Sequence, residues 1–175
     1  FSQQNLRSRV SSLAYYHSFD NKAIDTDWEY ATHYSYDVTG NVKTILNDYY
    51  QKGTIAQEFH RFKRIDYVFD VISGNVLQVY YQLGQEDAFY HRYAYDAENR
   101  ITKVETSTDG IIWDEDANYD YYLHGPLART ELGEHKVQGM DYAYTLEGWL
   151  KTVNAAHHKA DIGNDALKNN VFGAD

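Results

Sequence analysis

The chain has no cysteine in its 175 residues, and only one proline, Pro126. Without cysteine there are no disulfides and no thiol catalysis, a composition compatible with either redox compartment. A single proline and few low-complexity runs argue against disorder. Positive charge is scarce: 16 Lys and Arg face 26 Asp and Glu, for a net charge of −10 and a pI near 5.1. Nucleic acid and anionic membrane surfaces are therefore poor partners. No apolar run approaches the roughly 20 residues that a membrane helix needs, so no membrane insertion is expected. Gly-rich phosphate loops, zinc-ligand arrays and Gly-x-Ser-x-Gly elbows are also missing. The chain begins at Phe1 without a methionine or signal peptide, and stops at Val171-Phe172-Gly173, which looks like the start of a further strand. It therefore reads as a piece of a longer parent polypeptide.

Tyrosine is what the chain has in quantity. Hydrophobic residues make up 43%, yet mean hydropathy is −0.68, because 18 tyrosines count as apolar while each carries a hydroxyl. Such rings bury area and keep a polar handle, which suits a half-wet wall better than a dry core.

The tyrosines recur in one pattern. In Tyr93-Ala94-Tyr95-Asp96-Ala97-Glu98-Asn99-Arg100-Ile101 two aromatics share one face of a strand, Asp96 starts a turn, Asn99 tolerates a left-handed conformation, and Ile101 opens a return strand. Tyr34-Ser35-Tyr36-Asp37 with Gly40-Asn41-Val42 is the cleanest copy, and Tyr67-Val68-Phe69-Asp70 with Gly74-Asn75-Val76 has one extra turn residue. Tyr119-Asp120-Tyr121 leads to Gly125, and Tyr142-Ala143-Tyr144 to Gly148. The second aromatics, at 36, 69, 95, 121 and 144, are spaced by 33, 26, 26 and 23 residues, as in a repeat architecture with variable loops. Two positions past each turn residue stands an apolar one: Val42, Val76, Ile101, Leu127 and Leu150. Four copies add another at five positions: Ile45, Val79, Val104 and Val153. That spacing of three breaks strand alternation, so either both faces are covered or a bulge intervenes.

Other clusters carry less. Asp25-Thr26-Asp27 offers two carboxylates where calcium takes about six to eight oxygens, so a solvated turn is expected. Trp113-Asp114-Glu115-Asp116 lacks an opposing carboxylate for glycoside chemistry and reads as a solvated hairpin loop. His60, Arg61, Lys63 and Arg64 form a basic patch, read as a solvated charged face. The eight histidines are scattered. His33 and His91 recur near the aromatic pairs, which favours packing or hydrogen bonding. His157 and His158 lack metal-ligand spacing. No catalytic residue, metal or cofactor is expected.

The Tyr-x-Tyr-Asp-x-x-Gly-Asn/Arg-Val/Ile pattern resembles the YD repeat of RHS-repeat proteins, a family of bacterial polymorphic toxins, Tc insecticidal toxin cocoon subunits and animal teneurins. The resemblance covers about residues 28 to 154. Phe69, Asn99, Tyr122 and Thr145 depart from the pattern, and the Asp-Pro-x-Gly-type signature of the family's self-cleaving segment is absent, so no catalytic role is carried over. The resemblance implies an all-β fold in which antiparallel repeat hairpins form part of a coiling sheet, a shell around a toxic or unfolded C-terminal cargo of a large secreted protein. The implied partners are the remainder of the parent, the cargo and export machinery, and the implied location is secreted or cell-surface. The expected organisation is a leading strand and loop over 1–27, five hairpins over 28–154, and a loop leading to a truncated strand over 155–175. A carbohydrate-binding or adhesive surface module is the alternative: structural tyrosines would be mostly buried with bonded hydroxyls, whereas a sugar platform needs coplanar exposed rings. As a piece with open strand edges, the chain is expected to self-associate.

Overall fold

The computed structural model describes residues 1–16, 28–49 and 61–154. Its elements are eleven strands: β1 (Ser12–Tyr15), β2 (Tyr30–Tyr36), β3 (Val42–Tyr49), β4 (Phe62–Phe69), β5 (Val76–Tyr81), β6 (Phe89–Tyr95), β7 (Ile101–Ser107), β8 (Asp114–Tyr121), β9 (Leu127–Leu132), β10 (Gln138–Tyr144) and β11 (Leu150–Val153). The protein is all-β and its strand pairs are antiparallel. Tyr, Val, Ile and Thr dominate these segments, as a pleated, half-buried surface favours. The chain forms two compact units, Phe1–Tyr90 and His91–Asp175, so the boundary falls within β6. In each unit the strands stand in the order in which the chain makes them.

In the first unit β2 pairs with β1 and with β3, and β4 with β3 and with β5. In the second, β8 pairs with β7 and β9, and β10 with β9 and β11. Strands that follow one another in the chain are neighbours in the sheet, and turns of five or six residues join β2 to β3, β4 to β5, β6 to β7, β8 to β9 and β10 to β11.

No dry aliphatic core forms among the described residues. The buried apolar residues are Ala31, Ala117, Ala128 and Tyr90, whereas Ser35, Thr44, Asp48, Arg129, Glu131 and Asp141 are buried polar groups. The buried positions among the described residues are therefore mostly polar. The ten repeat aromatics, Tyr34 to Tyr144, are all half-buried, which corrects the expectation of mostly buried rings.

The structure also corrects two local expectations. Asp114, Glu115 and Asp116 belong to β8 and not to a loop; Lys103 Nζ lies 3.1 Å from Glu105 and 3.0 Å from Glu115, and so offsets two carboxylates across the β7–β8 pair. The basic patch is not simply solvated: Arg61 pairs with Asp48, Lys63 with Asp87 and Arg64 with Asp66. The candidate calcium turn at Asp25–Asp27, His60, and His157 and His158 lie outside the described residues.

Candidate functional site

The element that recurs is the turn, and its backbone is closed the same way five times. The residue after the second aromatic donates its N–H back across the turn: Asp37 to Asn41 O at 2.9 Å, Asp70 to Asn75 O at 2.8 Å, Asp96 to Arg100 O at 3.0 Å, Tyr122 to Pro126 O at 2.9 Å, and Thr145 to Trp149 O at 2.8 Å. The turn residue before the return strand has positive φ in every copy: Gly40 at 106°, Gly74 at 76°, Asn99 at 62°, Gly125 at 115° and Gly148 at 84°. At 62° an Asn is tolerated; at 106° or 115° a side chain is strained, which is why those two copies hold glycine.

Aspartate does the capping where it is present. Asp37 accepts from Thr39 Oγ1 at 2.7 Å, Gly40 N at 2.6 Å and Asn41 N at 2.8 Å. Burial pushes its carboxyl pKa upward, but the bonds from Thr39, Asn41 and Gly40 outweigh this and hold it at about 2. Asp70 accepts from Ser73 N and Oγ, and Asp96 from Glu98 N and Arg100 N. Thr145 substitutes its hydroxyl, accepting from Trp149 N at 3.3 Å. Tyr122 has no capping group, and its hydroxyl instead donates to Tyr142 O at 2.8 Å.

A bulge resolves the spacing of three. Tyr36 faces Val42 while Ser35 faces Thr44, so Lys43 is the extra residue. Leu77, Ala128 and Lys151 are extra in the same way, opposite Val68–Phe69, Asp120–Tyr121 and Ala143–Tyr144. One unpaired residue flips the alternation, so both apolar return residues end up opposite the aromatic pair: Val42 and Ile45 face Tyr36 and Tyr34, Val76 and Val79 face Phe69 and Tyr67, and Leu150 and Val153 face Tyr144 and Tyr142. In the fourth copy Leu127 faces Tyr121 and Thr130 faces Tyr119. Tyr93 and Tyr95 lie on β6, where His91 and Tyr93 stack at 6.3 Å and 3°.

The turns are also joined through a slot between one turn and the next. In the second unit Arg100 fills it. Its Nε donates to Asp96 Oδ2 at 2.7 Å, its guanidinium carbon lies 4.4 Å from the Tyr121 ring centroid, and its Nη1 donates to Gly125 O at 3.0 Å. Tyr121 completes the joint by donating its hydroxyl to Ile101 O at 2.8 Å.

The same joint appears where the sequence pattern was not recognised. Arg9 lies 5.3 Å from the Tyr36 ring centroid and close against Gly40, while the Tyr36 hydroxyl donates to Val10 O at 2.9 Å. Ser8, at φ 59°, stands where Asn99 stands, and Ser8-Arg9-Val10 leads into β1 as Asn99-Arg100-Ile101 leads into β7. Residues 8–15 are thus built as the return half of a further copy. The signal was present, since Val10 and Leu13 sit two and five positions past Ser8. Only the missing aromatic pair ahead of it hid the match.

A second group had no local signal. Arg129, 2% exposed in its side chain, bonds Glu131 at 3.1 Å and Asp141 at 2.8 Å, and Lys136 caps Glu131 at 2.5 Å. Burial raises the Glu131 pKa, but Lys136 and Arg129 outweigh it and the net shift is downward. Asn154 Oδ1 accepts from Asp141 N at 2.7 Å. Partners twelve residues apart meet only because β9 and β10 pair in this register. Among the described residues no three His, Asp or Glu side chains are grouped as metal ligands, and no helix is long and apolar enough to cross a membrane.

No family model matches the chain, and no curated protein sequence matches it. Among solved structures it is similar to the crystal structure of TcdB2-TccC3 without hypervariable C-terminal region, with a TM-score of 0.57 and 17% identity over 73% of this chain. The chain spans 6% of the length of that protein. At this identity the likeness is one of fold: the hairpin array has the fold of a stretch of TcdB2-TccC3.

Proposed function

We propose that this chain is a length of wall from an RHS/YD-repeat shell, part of a large secreted bacterial protein of the polymorphic-toxin kind, and that the shell encloses a toxic or unfolded C-terminal segment of the same polypeptide. The observation that carries this reading is the repeated turn, with one closing bond and one left-handed residue in all five copies and the same bulge in four, in hairpins laid side by side. The repeated residues are those a backbone needs; the capping position holds Asp in three copies, Thr in one and a Tyr that does not cap in another, a variation that a catalytic position does not tolerate. The likeness to TcdB2-TccC3 supports the reading at the level of fold. The role is structural and not enzymatic, and the partners are the rest of the parent, its cargo and the machinery that exports it.

The carbohydrate-binding alternative draws less support. The exposed pair Tyr30–Tyr49 is tilted by 45°, which makes no flat platform for a sugar ring, and Tyr36, Tyr121 and Tyr122 spend their hydroxyls on backbone carbonyls. Limited proteolysis of the parent polypeptide tests the proposal. Its C-terminal segment should resist protease in the intact protein and be cut rapidly once a turn is disrupted by Gly40→Val and Gly125→Val. Equal cleavage in both would count against enclosure. A monomeric 175-residue chain with a cooperative thermal transition would instead favour a self-contained binding module.

A further inference from the structure

The first unit contains a groove of about 590 Å³ between the first and second turns, in the size range of small-ligand sites. We propose that it is a receptor slot for the arginine side chain of another extended polypeptide segment. The inference is independent of the shell reading.

Two slots of this kind are filled, one by Arg9 and one by Arg100. Arg100 is held by three groups: the carboxylate of its own turn, the ring of the next second aromatic, and the carbonyl of the next turn glycine. The corresponding groups in the first unit are Asp37, Phe69 and Gly74, and all three line the groove. What is missing is the arginine. Its position is taken by Asn41, whose amide turns back to Asp37 Oδ2 and Thr39 Oγ1, each at 3.0 Å, and is too short to cover Phe69. Phe69 itself lacks the hydroxyl that Tyr36 and Tyr121 donate to the preceding return strand. The slot thus lacks both the arginine and the ring hydroxyl, while the carboxylate, held meanwhile by the short Asn41 amide, the ring and the turn glycine remain.

The chemistry selects a guanidinium. Asp37 is ionised at neutral pH, its pKa held at about 2, and an aromatic face attracts a flat cation that can stack upon it. Val71 and Ile72, both exposed turn-tip residues lining the same groove, offer aliphatic surface to the three methylenes of an arginine stem. Both filled slots take their arginine from a backbone segment that runs on into a strand, so the expected donor is an extended peptide. Residues 17–27, 50–60 and 155–175 contain no arginine, so those segments do not supply it. Lys43 also lines the groove and opposes a second cation.

Amide chemical-shift titration of the 175-residue chain with acetyl-Gly-Arg-Gly-amide tests this. Saturable shifts should centre on Asp37, Phe69, Val71 and Gly74, with the Lys tripeptide binding about fivefold or more weakly. Asn41→Arg, which installs the residue already accepted in the third turn, should abolish the shifts by filling the slot, and Lys43→Gln should tighten binding about two- to threefold. Phe69→Leu should weaken it about fivefold by removing the ring face. Equal binding of the Arg and Lys peptides, undiminished binding to the Asn41→Arg variant, or no saturation would overturn the proposal. Methylguanidinium binding as tightly as the peptide would assign the groove to a small cation and overturn the polypeptide assignment.

Discussion

The two units build the same hairpin but use arginine differently. In the second, Arg100 bridges one turn to the next and Arg129 is sealed between β9 and β10 against two carboxylates. In the first, Arg9 fills one slot as Arg100 does, but Asn41 leaves the next one open, and the arginine serving a buried carboxylate, Arg61 on Asp48, keeps 33% of its side chain exposed. The turn backbone is the same in both, so it does not depend on what fills the space around it. Closure by the N–H across the turn and one left-handed residue specify the hairpin; side chains between turns decide how firmly it is held and whether it offers a site.

The sharpest test of that contrast is truncation of the two arginines. Arg129→Ala leaves buried Asp141 without its cation and Glu131 with Lys136 alone, and should cost about 3–5 kcal/mol in urea unfolding. Arg61→Ala should cost less, about 1–2 kcal/mol, because Trp28 Nε1 still donates to Asp48. Equal losses would mean that exposure does not distinguish the two networks.

The next test breaks the shared frame. Gly40→Ala imposes a side chain at φ 106°, with its Cβ 2.6 Å from Arg9, and should cost about 1–3 kcal/mol. Asn99→Gly, at φ 62°, should change thermal stability by less than about 0.5 kcal/mol, since Asn already tolerates that region.

A reciprocal exchange at the slots should give smaller effects of opposite sign. Arg100→Asn should lose about 1 kcal/mol with its ion pair and ring contact, and Asn41→Arg should gain up to about that much in thermal denaturation. A destabilised Asn41→Arg variant would show that the first slot is not the equivalent of the third.

The smallest effect is on acid sensitivity. The Asp37 pKa of about 2 in the folded chain lies below the ordinary 3.8. Its contribution is therefore present above pH about 4 and is lost as pH falls toward 2. Asp37→Asn should flatten the stability–pH curve in that window, whereas Thr145 has no carboxyl of its own to titrate and the fifth turn's dependence falls to exposed Glu147, whose pKa its own backbone N–H and the Thr145 hydroxyl hold below the ordinary value.

Much of this was written locally. Tyr34 and Tyr36, Asp37 and Gly40 carry period-two alternation, a capping group and a residue free to adopt positive φ within a few positions, so the fold class and the five turn positions are legible along the chain. The first half-copy at Ser8-Arg9-Val10 was legible too, but without an aromatic pair before it the pattern fell below notice. The spacing of Val42 and Ile45 fits a bulge, but a doubly covered strand gives the same letters, so only the register tells them apart.

Sequence alone thus determined the all-β antiparallel hairpins and their turns, since these depend on contacts between residues close in the chain. Tertiary structure decided the rest: the extra residue at Lys43, the half-wet state of the tyrosines, the sealed Arg129 network and the open slot over Phe69. Each depends on which residues distant along the chain are brought opposite one another, and hydrogen-bond register across paired strands sets that, not local preference.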